Sequence, residues 1–256
     1  MKRPLDKETP GERPSSFLPT RWTIIHDAQT ENTSRRKAAL GQIFELYWKP
    51  VYCYLCRKGY SPGEAADLTQ GFFVDVALGK ALVQQADRSK GRFRSFLLTA
   101  LTHYTASIHR RDRTQRRSPG TQIVSLDGVG SFTIPEPATS LTPEDAFHYM
   151  WASTLLDQVL AEVQEECVRD GKSLHWQIFD AKVVEPILSG SPAPDLASLC
   201  APLGVEPQKA SNMIATVKRR FEATLKRHIS PLVSEDAEIA DEIADLHKIL
   251  SSRRAR

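Results

Sequence analysis

The chain has only four cysteines, Cys53, Cys56, Cys167 and Cys200, and it lacks any unbroken apolar run of about eighteen residues. The cysteines are too scattered along 256 residues to form a disulfide framework, which points to a reducing cytoplasm. Without a long apolar run, no membrane span is expected. A phosphate-cradling glycine loop, an HExxH helix and a nucleophile motif are also missing. Cys53-Tyr-Leu-Cys56 has metal-ligand spacing, but no second Cys or His pair lies near it. It falls inside an apolar helical pattern, where free cysteine behaves as a small hydrophobe. No catalytic residue, metal or cofactor is therefore expected. The opening MKRPLDKETPGERPSS is polar and proline-bearing, so residues 1–15 read as disordered and not as a signal peptide. Without export, the sequon Asn32-Thr33-Ser34 reads as coincidence.

Positive charge is present, and it is concentrated. Between Arg88 and Arg117 stand nine basic residues and one acid, a net +8, while the whole chain carries +3. Phe93, Phe96, His103 and Tyr104 are interleaved with them. Basic groups attract phosphates at a distance, and aromatic faces stack on exposed bases. This segment therefore reads as a surface for locally opened nucleic acid. Phe96, Leu97, Ala100, Leu101, Tyr104 and Ile108 also recur at helical spacing. One face of that helix must be core, and Leu97, Leu101 and Ile108 are assigned to it.

Helical periodicity dominates elsewhere. Leu40, Ile43, Phe44, Tyr47, Val51, Tyr54 and Leu55 mark one amphipathic helix, bent or broken at Pro50 and closed by Gly59. Ser61-Pro62-Gly63-Glu64 is a capping box, and Leu68, Phe72 and Val76 form the buried stripe behind it. A short helix is expected over residues 80–86, and the basic helix over about 93–115. Residues 118–142, rich in Ser, Thr, Gly and Pro, read as a flexible linker, with a short extended piece at 121–126. Helix resumes near Pro143 with Trp151, Leu155, Leu156, Val159, Leu160 and Val163 in register, and a further helix carries Trp176, Phe179 and Val183.

Asp195 to Ile229 reads as a helix-turn-helix. Leu196, Leu199, Cys200 and Leu203 face inward, Gly204 makes the turn and Val205 plugs the core. Pro202 shortens or bends the first helix. The second helix buries Ala210, Met213, Ile214, Val217, Phe221 and Leu225, and turns Gln208, Lys209, Ser211, Asn212, Thr216 and Lys218 outward. Such a helix can enter the major groove with its first turns on base edges. The tail, residues 231–256, is an acidic amphipathic helix expected to fold against the protein or a partner.

The order ALGQIFELYWKPVYCYLCRKGYSPGEAADLTQGFF, GRFRSFLLTAL and a C-terminal helix-turn-helix resembles a bacterial RNA polymerase sigma factor of the small, two-domain, extracytoplasmic-function type. SFLPTRWTII and RRFEATLKRHI…EIADEIADLHKIL resemble a planctomycete-like branch of it, so the likeness spans about residues 16 to 250. The resemblance implies an all-α fold of two helical domains joined by a flexible linker, plus a C-terminal helix. Residues 16–117 would be the polymerase- and minus-ten-binding domain, 118–142 the linker, 143–230 the helix-turn-helix domain and 231–256 the extension. It implies core RNA polymerase and promoter DNA as partners, with an anti-sigma factor or other regulator as a further one. Asp67, Gln70, Gly71 and Phe73 would meet polymerase. Arg88, Arg92, Phe93, Arg94, Phe96, His103, Tyr104, Arg110 and Arg111 would hold the melted minus-ten element. Gln208, Lys209, Ser211, Asn212, Thr216, Lys218 and Arg219 would read the minus-thirty-five element. Gly71 stands where the family usually has an acidic residue, and Ser211, Ala215 and Thr216 where relatives commonly carry Lys, His or Arg.

Two other readings use the same residues. One is a helix-turn-helix regulator that does not dock on polymerase. The other is a metal-dependent enzyme acting on nucleic acid through Asp67 and Asp75. Those two carboxylates lie eight residues apart on one helix and could not share an ion without a third from elsewhere.

Overall fold

The computed structural model describes residues 23–78, 86, 92–115, 141–233 and 236–251. Among them every regular element is helical, so the fold is all-α, as expected. The expected disordered start, the helix over 80–86, the linker and its extended piece lie outside the described residues, apart from Ala86, Leu141 and Thr142. No helix among the described residues is long and apolar enough to cross a membrane.

Helix α1 (Thr23–Gln29) leads into α2 (Thr33–Arg57). Asn32, the first residue of the sequon, caps α2 by accepting the Arg35 N–H at 3.1 Å. Pro50 does not interrupt α2; it is buried within a 25-residue helix. Tertiary packing by Ile43, Tyr47, Val51, Tyr54 and Leu55 offsets the backbone hydrogen bond that a proline removes. Gly59, at φ +97°, then closes the helix: its N–H bonds the Cys56 carbonyl and the Tyr60 N–H bonds that of Leu55. Helix α3 (Pro62–Leu78) begins with the expected reciprocal cap, the Ser61 N–H donating to Glu64 Oε2 at 2.9 Å. Helix α4 is Phe93–Gln115.

Helix α5 (Pro143–Arg169) is capped by Thr142, whose hydroxyl accepts the Asp145 N–H at 3.1 Å. Its stripe of Phe147, Trp151, Leu155, Val159 and Val163 is buried, and its longest partnership is with α2. The second half of the chain is thus laid directly along the first, in one continuous apolar core. Tyr47 of α2 touches both Phe93 of α4 (ring centroids 5.6 Å apart) and Phe147 of α5 (6.3 Å). Helix α6 (Ser173–Phe179) continues through a π-helical turn (Asp180–Val184) into α7 (Glu185–Ser189).

Helix α8 (Leu196–Cys200) is capped by Asp195, which accepts the Ser198 N–H at 3.0 Å. Pro202 ends it, as its ring demands, in a 3-10 turn over Ala201–Leu203. Gly204, at φ +61°, reverses the chain into α9 (Pro207–Ile229). A small separate core of Ile178, Cys200, Ala210 and Met213 fixes the angle between α8 and α9, with Val205 packed against it. Leu203 is a correction: it is 40% exposed, because the tight turn at Pro202 swings it off the inward face. The tail helix α10 (Asp236–Ser251) lies against α5 and α9, with Leu246 buried.

Candidate nucleic-acid and polymerase interface

The outer face of α3 carries Asp67, Gln70, Val74 and Asp75, all exposed and one or two turns apart. Thr69, Phe72 and Phe73 form the opposite face and are buried. Phe73 is therefore a correction to the expected polymerase contacts. At 7% exposure it belongs to the core, edge-on to Phe44 (5.1 Å) and Phe72 (5.6 Å). Gly71 has a structural reason to be glycine. A Cβ at this position would sit 2.6 Å from Tyr104 Oη, which crosses α3 just there. The Tyr104 ring rests edge-on against Phe72 at 5.4 Å. An acidic side chain at 71 would have to displace that hydroxyl.

Cys53 and Cys56 point into the helix packing as free thiols, Cys53 buried and Cys56 half-buried. Burial first, and then the neighbouring Cys56, push the Cys53 thiol up to about 12, far from the reactive range.

The basic helix divides into two parts. Its later part, with His103 and Arg110, is exposed, and His109 stacks on Tyr60 with their polar atoms 3.0 Å apart. The Arg111 side chain and Arg88 lie outside the described residues. Phe96 and Tyr104 are half-buried. The first turn departs most from expectation. Phe93 is 1% exposed, wedged between Tyr47 and Phe96, and presents no face to a base. Arg94 is 5% exposed, with its guanidinium 4.4 Å over the Trp151 ring. It donates to Glu242 Oε1 at 2.6 Å and to Asp245 Oδ2 at 2.8 Å. Arg92 places Nε 3.0 Å from Glu242 Oε2, poorly aligned for a hydrogen bond, and Nη1 against Asp245. Two arginines expected to grip phosphates thus hold two carboxylates of α10.

Electrostatics explains the arrangement. The first turn of α4 contains no acid, so two cations crowd the positive end of a helix dipole. The carboxylates of α10 face these cations, and the two respond differently: at Glu242 burial outweighs both arginines and raises the carboxyl. Burial pushes the Asp245 carboxyl up, but the Arg92 hydrogen bond and the charges of both arginines more than offset it and hold it low.

The helix-turn-helix differs. Gln208, Lys209, Ser211, Asn212, Lys218 and Arg219 are exposed on the first four turns of α9, and Thr216 is half-buried among them. Lys209, Lys218 and Arg219 engage no carboxylate among the described residues. Ser211 and Thr216 donate to carbonyls of their own helix, from Pro207 (3.1 Å) and Asn212 (2.8 Å). From Arg220 onward the helix is clamped to α5. Arg220 meets Asp170 at 2.6 Å, Arg227 meets Glu162 at 2.8 Å and Glu166 at 3.0 Å, and His228 meets Glu162 at 2.6 Å. This clamp escaped sequence reasoning; the acids at 162, 166 and 170, four apart, were its visible signal.

Comparison of the chain with known protein families, curated proteins and solved structures yields no match.

Proposed function

We propose that this chain is a sigma factor of extracytoplasmic-function type, which binds core RNA polymerase in the bacterial cytoplasm and directs promoter-specific initiation. The observation that carries this reading is a helix-turn-helix whose second helix opens on an unclamped polar face, Gln208 to Arg219, in a chain whose α3 also exposes Asp67 and Gln70. The sequence resemblance supplies the roles. In this reading α9 enters a major groove at the minus-thirty-five element, with phosphate and base contacts from its first turns. The α3 face docks on polymerase. The later part of α4, with Arg110 and His103, tracks the melted strand by charge. No covalent step is required: unstacking costs a few kcal/mol per base, and capture of the extruded bases offsets it.

A second reading, a helix-turn-helix regulator that works without polymerase, is favoured by one observation: Phe93 is core and Arg92 and Arg94 are engaged internally. Co-elution with core RNA polymerase in size-exclusion chromatography separates the two. The sigma reading expects a stable complex, weakened by Asp67→Ala with Gln70→Ala while thermal stability stays unchanged. A folded chain that never co-elutes would leave the regulator.

A further inference from the structure

The contact between α10 and the start of α4 resembles a protein–nucleic acid contact in its chemistry. Glu242 and Asp245 are one turn apart, with Cβ atoms about 5–6 Å from each other on one helix face. Each takes both arginines: Arg94 reaches Glu242 at 2.6 Å and Asp245 at 2.8 Å, while Arg92 adds its Nε at 3.0 Å to Glu242 and its Nη1 to Asp245. Two anions in a row, bridged by planar guanidinium forks, is what successive phosphates would offer to the same pair. The wider charge follows the same pattern. Residues 236–251 carry a net −4 and residues 92–115 a net +4.

The apolar hold on α10 is thin. Leu246 is its one fully buried apolar side chain among the described residues, while Ile239, Ile243, Ile249 and Leu250 are half-covered. The clamp is also open to water at its rim: the side chains of Arg92 and Asp245 are 33% and 39% exposed. A phosphate chain can therefore reach Arg92 before α10 lets go, and replace the carboxylates stepwise.

The geometry points to α10 as an internal competitor of nucleic acid: it occupies Arg92 and Arg94 in place of phosphates, and α10 and a single strand exclude one another at the start of α4. This rests on the nucleic-acid reading of α4, and not on polymerase docking. In its resting form the chain holds single strands weakly, through the later part of α4. When α10 is drawn off, two further cations join that surface.

The test uses the full chain and a mixed-sequence single-stranded oligodeoxynucleotide. Backbone hydrogen exchange over 236–251 is compared with and without saturating oligonucleotide, and faster exchange is expected with it. Glu242→Gln with Asp245→Asn keeps the helix and its apolar face. That variant should bind the oligonucleotide roughly tenfold more tightly at low salt, with a log–log salt slope steeper by ~1.4, since each phosphate neutralised on a single strand contributes ~0.7. Adding Arg92→Ala should take back about half of the steepening. Unchanged or slower exchange on saturation would overturn the proposal without relying on any variant. So would an unchanged salt slope in a folded variant, or an absence of oligonucleotide binding in every form. Polymerase co-elution is read separately. A chain that co-elutes but shows no such exclusion keeps its proposed function and loses this inference; exclusion without co-elution does the reverse.

Discussion

The starts of α4 and α9 are chemically alike and structurally opposite. Each is the positive end of a long helix with basic residues in or near its first turns and no acid in its first turn. At α4, Arg92 and Arg94 are held by Glu242 and Asp245, and Arg94 is covered by Trp151. At α9, Lys209, Lys218 and Arg219 stand in solvent, and among the described residues Glu162, Glu166 and Asp170 engage this helix only from Arg220 onward. Charge in the sequence therefore marks an attraction for anions without saying which anion. At one helix it is the chain's own carboxylates, and at the other the place is open.

Arg94→Ala breaks this comparison most severely. It removes the stack on Trp151 and leaves Glu242, nearly sealed from water, with Arg92 alone. Removing one partner of a buried pair costs about 3–5 kcal/mol. Lys209→Ala, also an arginine- or lysine-to-alanine change at a helix start, should alter stability by less than ~0.5 kcal/mol. Urea unfolding of the two variants measures the difference. Equal stabilities would mean that the α4 cluster contributes nothing to the fold.

Next in size is Gly71→Ala. The new Cβ collides with Tyr104 Oη, an overpacking of about 1–3 kcal/mol, against a gain in helix propensity of about 1 kcal/mol. A net loss is expected, and Tyr104→Phe in the same chain should recover much of it. A double-mutant cycle gives the coupling; additivity within ~0.5 kcal/mol would show that the hydroxyl yields freely. Smaller in stability, but sharper for function, is the triple change Lys209→Ala, Lys218→Ala and Arg219→Ala. It should leave the melting temperature unchanged and flatten the salt dependence of duplex binding by ~0.9 for each phosphate that these cations neutralise. An unaltered slope would place the duplex elsewhere.

What could be read in the sequence was what neighbours in the chain decide. Ser61 and Glu64, three apart, determine a cap between themselves, and Gly204 with Val205 determine a turn and its plug. The stripes of α5 and α9 follow from the same short range. Gln208 to Arg219 were legible as an outward face because burial on one side of a helix leaves the other side open. The fate of Phe93 and Arg94 was not legible, because Glu242 lies 148 residues from Arg94 and Trp151 sits on another helix. Gly71 posed the same problem: its reason is Tyr104, three turns along a different helix from Phe93. The acidic tail was expected to fold against the protein or a partner, and the structure identifies which residues it covers.

The smallest effect concerns the clamp that ends the open face of α9. The hydrogen bond from His228 holds the Glu162 carboxyl below its ordinary value of 4.5, with the charge of Arg227 acting in the same direction against a little burial. In the unfolded chain that carboxyl takes up its proton first as pH falls. The contribution from Glu162 ionisation is therefore present above about pH 4.5 and is lost as pH drops through the lower, folded value. Glu162→Gln removes this dependence. Its melting temperature should fall less steeply on acidification than that of the parent chain, and at neutral pH the two should differ by less than ~1 kcal/mol in stability, because the cluster is largely in solvent and screened by salt. Melting curves from neutral pH into the acid range decide it. Parallel curves would mean that Glu162 adds nothing to the fastening of α9 to α5, which would then rest on the apolar stripe and on the pairs that Arg220 and Arg227 make with Asp170 and Glu166.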